Sequence, residues 1–358
     1  MKHICLLGLL AWGLTSCHSI SVGGEKKDFT PLDSMIQCWI SRNYYPGAAM
    51  AVADEDTVLF EKSYGNYTPK TQVYVASAGK WVAAAVVAAV VDHSQLQWND
   101  SIAQWLPEFR GDVKARITLR QLLSHTSGIP DYHPLPKVDV YNHLDSAVAD
   151  ILSLDTVFTP GTRFQYGGLA MQVAGRMAEV AGGDSFERLF QKYIAMPLGM
   201  KHSHFIPVSH VSGHSPMLAG GLRTTLEDYM HFLNMIYHDG MFAKRQILSL
   251  ESIHEMQANQ TQGATISSGE YVEKALGGKH KGIYGLGEWR EIVDKHDHAY
   301  QISSPGWAGA YPWINKRDGV YGFFITHVEG NSADRDNFSP FYDAPQISRM
   351  VTRIINHQ

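Results

Sequence analysis

The sequence has few cysteines, no excess of basic residues and no apolar run long enough to span a membrane. Only three of its 358 residues are Cys, and 30 Lys and Arg are outnumbered by 35 Asp and Glu, which gives a net charge of −5. Without a basic cluster the chain attracts a phosphate backbone weakly, so we expect no nucleic acid partner. With 44% hydrophobic and 18% charged residues, the chain can bury a large core and is not disordered.

The N-terminus has the pattern of a targeting segment. Lys2 and His3 precede an apolar run over residues 4–14, which has the length of a signal peptide. The following residues, Leu14 to Cys17, resemble a bacterial lipobox, in which the Cys is acylated after cleavage. We therefore expect a signal peptide (1–16), a lipid on Cys17 and a tether over 17–29. This would make the protein a membrane-anchored lipoprotein of the bacterial cell envelope, facing the periplasm from the outer membrane. The alternative is an ordinary signal peptide with a chance Cys.

Cysteine usage agrees with this interpretation. Cys5 would leave with the signal peptide and Cys17 would carry lipid, so Cys38 would be the only thiol of the mature domain. No internal disulfide is then available. Because Cys38 lies in an apolar, helix-like stretch, we expect it to be a small core residue and not a nucleophile.

Helix-like and strand-like patterns alternate in an order that predicts two lobes. Residues 31–42 fit a helix, and Ala48–Ala53 and Thr57–Tyr64 fit the two strands of a hairpin. The pattern is mainly helical from residue 77 to about 240, strand-like after 282 (including 310–314 and 320–328), and helical again over 344–356. These patterns predict an α+β fold in which both chain ends form one antiparallel sheet and a helical lobe is inserted between them.

The candidate catalytic pair is Ser77 and Lys80, which open an apolar run over residues 81–91. Residues three apart share a helix face, so the two side chains are within reach of each other. Ser needs a neighbour that accepts its proton, and burial can lower the pKa of a Lys from ~10.4 until it can do so. The alternative is an N-capping Ser beside a solvated Lys, and a single S-x-x-K is a weak signal by itself.

A third candidate is Tyr166, which follows a Pro160-Gly161 turn and precedes an apolar helix. Its hydroxyl could project into a cleft and protonate a leaving group. The alternative is a tyrosine that packs at a helix start.

Other catalytic and metal-binding motifs are absent. The short-spaced pairs His210/His214 and His296/His298 match no zinc motif, and there is no G-x-S-x-G elbow or P-loop. We expect His125 to be a hydrogen-bonded structural residue. No metal and no cofactor is expected.

Several longer motifs resemble the serine β-lactamase and penicillin-binding protein superfamily, in particular the branch of class C β-lactamases and related esterases. The resemblance covers most of residues 30–330 and rests on these stretches: residues 45–48 (YPGA), 122–130 (LLSHTSGIP), 158–161 (FTPG), 197–200 (PLGM), 219–225 (AGGLRTT) and 284–287 (YGLG).

The resemblance implies a fold and a mechanism. It implies an antiparallel sheet flanked by helices, an all-helical lobe, and an active site in the cleft between them. The domain would span 30–358, with a sheet lobe over about 30–75 and 280–358 and a helical lobe over about 76–279. Ser77 would be the nucleophile, Lys80 its base and Tyr166 the proton shuttle, in acyl transfer through an acyl-enzyme without a metal. The backbone N–H groups of Ser77 and Trp307 would form the oxyanion hole.

Two departures from the family pattern concern the substrate. The second motif ends in Gly168 instead of Asn or Ser, and the third reads Ser304-Pro305-Gly306 instead of beginning with a cation. Gly168, Ser304 and Gly306 are therefore the candidate substrate-binding positions, and Arg223 could supply a missing positive charge. A site without a cation binds a carboxylate poorly, so we expect hydrolysis of esters or poorly charged amides. The alternatives are a D-aminoacyl peptidase or β-lactamase, and a catalytically impaired lipoprotein that binds cell-wall fragments.

Overall fold

Both ends of the chain contribute to one antiparallel sheet in the computed structural model. The structure describes residues 27–55, 57–132, 141–207, 215–267, 270–277, 282–329 and 336–356. The main sheet has the strand order β2-β1-β12-β11-β10-β9. Its strands are β1 (Ala48–Asp54), β2 (Thr57–Tyr64), β9 (Trp289–Val293), β10 (Ala299–Ser303), β11 (Tyr311–Asn315) and β12 (Val320–Ile325). The expected α+β architecture is confirmed.

The helices occupy the middle of the chain and its two ends. They are α1 (Thr30–Ser41), α2 (Gly79–His93), α3 (Ile102–Trp105), α4 (Leu119–Leu123), α5 (Leu144–Leu152), α6 (Leu169–Gly182), α7 (Phe186–Phe190), α8 (Met196–Leu198), α9 (Leu226–Tyr237), α10 (Leu250–Gln257), α11 (Glu270–Leu276) and α12 (Gln346–Ile355). Short two-residue strands complete the fold: β3 (Val73–Tyr74), β4 (Arg163–Phe164), β5 (Arg223–Thr224), β6 (Met241–Phe242), β7 (Arg245–Gln246) and β8 (Thr265–Ile266).

Strand β1 is buried on both faces because helices cover both sides of the sheet. Alternate residues of a strand point to opposite faces. Ala48, Met50 and Val52 pack with the terminal helices α1 and α12, whereas Ala49 and Ala51 belong to the larger core around α2 and α9. The sheet thus separates two cores, and its inner face supports the helical lobe.

Helix α2 is buried on all sides, as its apolar sequence predicts. Residues from Gly79 to Val90 are buried, and the helix packs in one core with α4, α6, α7 and α10. Burial of these apolar side chains stabilises the packed position of the helix. The position of its first turn, which carries Lys80, is fixed by this packing.

Helix α1 and the residue before it show which N-terminal side chains are buried. Cys38 is exposed on α1, so the expectation of a core residue was wrong: the buried face of α1 consists of Leu32, Ile36 and Trp39. The side chain of Phe29 is buried and stacks on Phe60 at a centroid distance of 5.2 Å.

Within the described ranges, none of the helices is long and apolar enough to cross a bilayer. The expected signal peptide, Cys17 and most of the tether lie outside the described residues.

Candidate active site

Ser77 lies in a short 3-10 turn, Ala76–Ala78, between strand β3 and helix α2. The first hydrogen bond of this turn runs from the Ala78 N–H to the Val75 carbonyl at 3.2 Å, so the Ser77 N–H stays outside the helical ladder. The preceding residue, Ala76, has a φ of 48°, a left-handed value that strains a residue with a Cβ. This tight entry places Ser77 at the N-terminus of a buried helix, where backbone N–H groups favour negative charge.

Lys80 is fully buried and its ammonium nitrogen contacts three oxygen atoms. The Nζ atom lies 3.1 Å from Ser77 Oγ, 3.0 Å from Tyr132 OH and 2.6 Å from the Ala219 carbonyl. Burial lowers the pKa of Lys80 from 10.5 to about 7. A large fraction of the side chain is therefore an uncharged amine at neutral pH, in hydrogen-bond contact with the candidate nucleophile.

Tyr166 lies beside Lys80 within a group of aromatic rings. Its ring centroid is 4.7 Å from Lys80 Nζ and 4.7 Å from the His125 ring, and it stacks on Trp289 at 5.1 Å. Burial, reinforced by the neighbouring Tyr132, raises the pKa of Tyr166 well above its ordinary value, while a hydrogen bond with Ser77 acts in the opposite direction. Tyr166 is thus a neutral phenol next to the pair.

A second tyrosine, Tyr132, completes this group and was missed from the sequence. Its hydroxyl contacts Lys80 Nζ, and it also forms a hydrogen bond with Ser77. Burial of its hydroxyl raises the pKa of Tyr132 well above 10, although 45% of the residue's surface remains exposed. The only sequence signal was its position two residues after the motif that ends at Pro130.

His125 is buried behind the tyrosines. Its Nε2 atom lies 3.3 Å from Tyr284 OH, and burial together with the nearby Lys80 lowers the pKa of His125 well below 6.5. The imidazole is neutral, in keeping with a structural part.

The third motif lies next to the nucleophile turn. Ser304 Oγ donates to the carbonyls of Ser77 and Gly287, both at 3.2 Å. A Cβ on Gly306 would lie 2.2 Å from the Val75 carbonyl oxygen, so only glycine allows this close approach. Trp307 follows directly, and its backbone N–H therefore comes near the turn that carries Ser77. Ser304 and Gly306 thus pack against the backbone of the nucleophile turn and are not among the pocket-lining residues.

A pocket with a volume of about 440 Å³ opens over Ser77. It is lined by Tyr74, Ala76, Ser77, Tyr132, Met217, Ala219, Gly220, Trp307, Ala308, His327 and Val328. This set contains no Lys or Arg. His327 is its one basic side chain, and its Nδ1 atom lies 2.8 Å from the Tyr74 carbonyl. Trp307 is 56% exposed at the rim, beside Phe341.

The other candidate residues lie away from the pocket lining. The guanidinium of Arg223 is 6.0 Å from the centroid of the Tyr74 ring. Gly168 lies beneath Tyr132. His296 and His298 are on an exposed turn, whereas His210 and His214 lie outside the described residues. Within the described ranges, no group of His, Cys, Asp and Glu could hold a metal ion.

Comparisons with known proteins agree with this architecture. A crystal structure from Bacteroides dorei DSM 17855, provisionally called a beta-lactamase, is 65% identical and superposes with a TM-score of 0.89, covering 92% of this chain and 99% of that one. A family VIII carboxylesterase has a TM-score of 0.69 at 16% identity, covering 92% and 97% of the two chains, and so shares the fold.

Among curated relatives, Protein flp of Staphylococcus aureus (strain MW2) is 24% identical over 198 residues, which are 51% of this chain. The match spans only 39% of the length of flp. The Beta-lactamase family model matches residues 32–339, most of the chain and all of the site residues described above. The chain belongs to the Beta-lactamase family.

Proposed function

We propose that the protein is a serine hydrolase that forms an acyl-enzyme on Ser77 and acts on esters or poorly charged amides. The observation that carries the proposal is the 3.1 Å contact between Ser77 Oγ and the fully buried Lys80 Nζ. Burial keeps much of Lys80 uncharged near pH 7, which is the state that can accept the hydroxyl proton.

Acylation then needs a base, an oxyanion site and a proton donor. Lys80 takes the proton from Ser77 as Oγ bonds to the substrate carbonyl carbon. The N–H groups of Ser77 and Trp307 hold the oxyanion, and donors of this kind contribute ~10²–10³ in rate. A neutral phenol beside Ser77 protonates the leaving group, a part that the family resemblance gives to Tyr166. Water attacks the acyl-enzyme by the same route in reverse.

The pocket lining supports a substrate without a carboxylate next to the scissile bond. No Lys or Arg is among the described residues of the pocket, and Met217, Trp307 and Val328 give it apolar walls. An unpaired carboxylate would lose hydration there without gaining an ion pair. An ester with an apolar acyl group avoids that cost.

A D-aminoacyl peptidase or β-lactamase is the second candidate. The observation in its favour is His327, whose imidazole is in the pocket wall and could pair with a carboxylate when protonated. The Nδ1–H donates to the Tyr74 carbonyl, so Nε2 remains for the substrate. Ester hydrolysis is preferred because no Lys or Arg is among the described pocket-lining residues.

We also propose that the protein is a cell-envelope lipoprotein attached through Cys17. The support is the sequence of residues 1–17 alone. An esterase or peptidase held at a membrane would meet substrates in the envelope.

Substrate preference can be tested by comparing kcat/KM for p-nitrophenyl esters, nitrocefin and a D-Ala-D-Ala peptide, with Ser77→Ala as the control. We expect ester hydrolysis to exceed nitrocefin hydrolysis, and the Ser77→Ala variant to lose both. Faster hydrolysis of nitrocefin or of the peptide would replace the ester assignment with the second candidate. Binding of cell-wall fragments without any turnover would instead indicate a catalytically impaired binding protein.

A further inference from the structure

The space above Gly168 is filled by the ring of Tyr132. A Cβ built on Gly168 would lie 2.5 Å from Tyr132 Cε1 and 2.9 Å from the Ala219 Cβ. Real Cβ atoms do not approach other heavy atoms so closely, so any side chain at residue 168 would displace the tyrosine. The absence of a side chain at Gly168 therefore makes room for the ring of Tyr132, which comes from a different loop.

Backbone contacts fix the loop that carries Tyr132. The Asp131 carbonyl accepts hydrogen bonds from the N–H groups of Gly168, at 2.9 Å, and Leu169, at 3.1 Å. A Cβ on Gly167 would lie 2.5 Å from Asp131 Cα, so this glycine also permits the approach. The two glycines after Tyr166 thus allow residues 131 and 132 to pack closely against the backbone.

The three oxygen contacts of Lys80 limit how its amine can be oriented. An uncharged amine has two N–H donors and one lone pair. The Ala219 carbonyl can only accept, so it takes one N–H, and two hydroxyls remain for the other N–H and the lone pair. If Tyr132 accepts the second N–H, the lone pair points at the Ser77 hydroxyl, as proton abstraction requires.

Tyr132, unlike Tyr166, is part of the described pocket lining. While its oxygen accepts from Lys80, its own O–H can turn from Ser77, with which Tyr132 also forms a hydrogen bond, toward a substrate above Ser77. Tyr166 also forms a hydrogen bond with Ser77, but it is more buried than Tyr132, with its ring 4.7 Å from Lys80 Nζ and stacked on Trp289. The ring adds packing and a cation–π contact beside the amine.

We propose that Tyr132 is a catalytic residue that orients the Lys80 amine and delivers the proton to the leaving group, an inference that rests on the proposed hydrolase function. In acylation the Ser77 proton moves to Lys80 as the Oγ–carbon bond forms. The bond from the carbonyl carbon to the leaving oxygen then breaks, the leaving oxygen takes the Tyr132 proton, and Lys80 returns a proton to Tyr132. The relay consumes no external acid.

The test compares two esters of one acyl group, one with p-nitrophenol and one with ethanol as the leaving group. Ethoxide needs a proton far more than p-nitrophenoxide does. Tyr132→Phe keeps the ring above Gly168 but removes the hydroxyl, and Tyr166→Phe is the matched variant. Tyr193→Phe, at the far end of α2 beside His93, controls for the loss of a phenol elsewhere.

We expect Tyr132→Phe to lower kcat/KM by about 10²–10³ for the ethyl ester and by a clearly smaller factor for the p-nitrophenyl ester. Tyr166→Phe should lower both by the same factor, and Tyr193→Phe neither. Equal losses for both esters in Tyr132→Phe, or a leaving-group-dependent loss only in Tyr166→Phe, would overturn the inference. If the wild-type protein hydrolyses neither ester and forms no Ser77 adduct, the proposed function itself fails.

A second variant keeps the inference testable if Tyr132→Phe does not fold. Gly168→Ala should displace the Tyr132 ring and produce the same leaving-group dependence. The double variant Gly168→Ala/Tyr132→Phe should lower kcat/KM little more than either single change, because both changes remove the same interaction of the Tyr132 hydroxyl. Additive losses in the double variant would contradict the inference.

Discussion

At the scale of single residues, the site depends on the protonation of Lys80. Within the part of the chain that the structure describes, its Nζ atom contacts two hydroxyls and one carbonyl but no carboxylate. Burial therefore penalises the charged form, and the pKa falls to about 7. The same desolvation that makes Lys80 a base makes the folded protein sensitive to pH.

The pH dependence of activity should follow this group. We expect kcat/KM for an ester to rise with pH through about 7, as the Lys80 ammonium loses its proton. Lys80→Met should lower kcat/KM by ~10²–10⁴ and remove the dependence at this pH. A wild-type profile that is flat between pH 6 and 8, or a Lys80→Met variant that retains its activity, would exclude Lys80 as the base.

Stability measurements provide the control for this variant. Because the folded pKa of Lys80 lies below the ordinary 10.5, the unfolded chain binds more protons between about pH 7 and 10.5. This group therefore makes the free energy of unfolding rise with pH across that window. Chemical denaturation should show that the Lys80→Met variant folds and lacks this contribution.

The Ser77–Lys80 pair could be predicted from the sequence because the two residues are three apart at the start of an apolar run. Tyr132 could not be predicted, since its part depends on a loop that meets Gly167 and Gly168 only in the folded chain. The prediction for Cys38 failed for a different reason. Its apolar stretch predicted a buried residue, but Cys38 lies on the exposed face of α1.

At the scale of elements, strands β9 and β10 carry a buried polar network that holds the sheet to the helices. The Glu291 carboxylate accepts hydrogen bonds from Tyr271 OH at 2.6 Å, Ser303 Oγ at 2.5 Å, Gln301 Nε2 at 2.5 Å and Tyr311 OH at 3.0 Å. Ser348 of α12 joins through Tyr311 and Gln301. The network links three strands with α11 and α12.

Glu291→Gln should weaken this network, because the new amide NH₂ would face groups that already donate. We expect the free energy of unfolding to fall by about 2–4 kcal/mol, measured by chemical denaturation. Glu61→Gln, at an exposed position of β2, is the matched control and should change stability little. A Glu291→Gln variant as stable as this control would show that the carboxylate contributes no net stability.

The polar network also explains why the sequence did not specify these two strands. Arg290, Glu291, Gln301 and Ser303 are buried in β9 and β10, so the usual alternation of apolar and polar residues is lost. The hairpin β1–β2 agrees with its predicted boundaries to within one residue, because its sequence signals are local.

At the scale of the whole molecule, the sheet joins segments more than 200 residues apart. Ala49 of β1 pairs with Ile325 of β12. Separately, Ser304 of the third motif donates to the Ser77 carbonyl in the nucleophile turn. The sequence predicted the two lobes, but the strand order depends on long-range pairing that no local pattern contains. The pocket lining could not be predicted from the sequence either, because its residues come from loops at distant points of the chain.

The proposed anchor is a property of the whole chain. Cys17→Ser in the full-length protein should remove lipidation and shift the protein from the membrane fraction to the soluble fraction of the envelope. Incorporation of labelled palmitate, followed by fractionation of cells, measures both effects. Continued membrane association of an unlabelled Cys17→Ser variant would contradict the lipoprotein assignment.

Mass spectrometry can show whether Ser77 is the nucleophile. The purified protein would be incubated with a fluorophosphonate at pH 8, digested, and compared with Ser77→Ala and Lys80→Met. We expect one adduct, on Ser77, that is absent from Ser77→Ala and forms much more slowly in Lys80→Met. No adduct on Ser77 in the folded wild-type protein, or an adduct on a different residue, would contradict it.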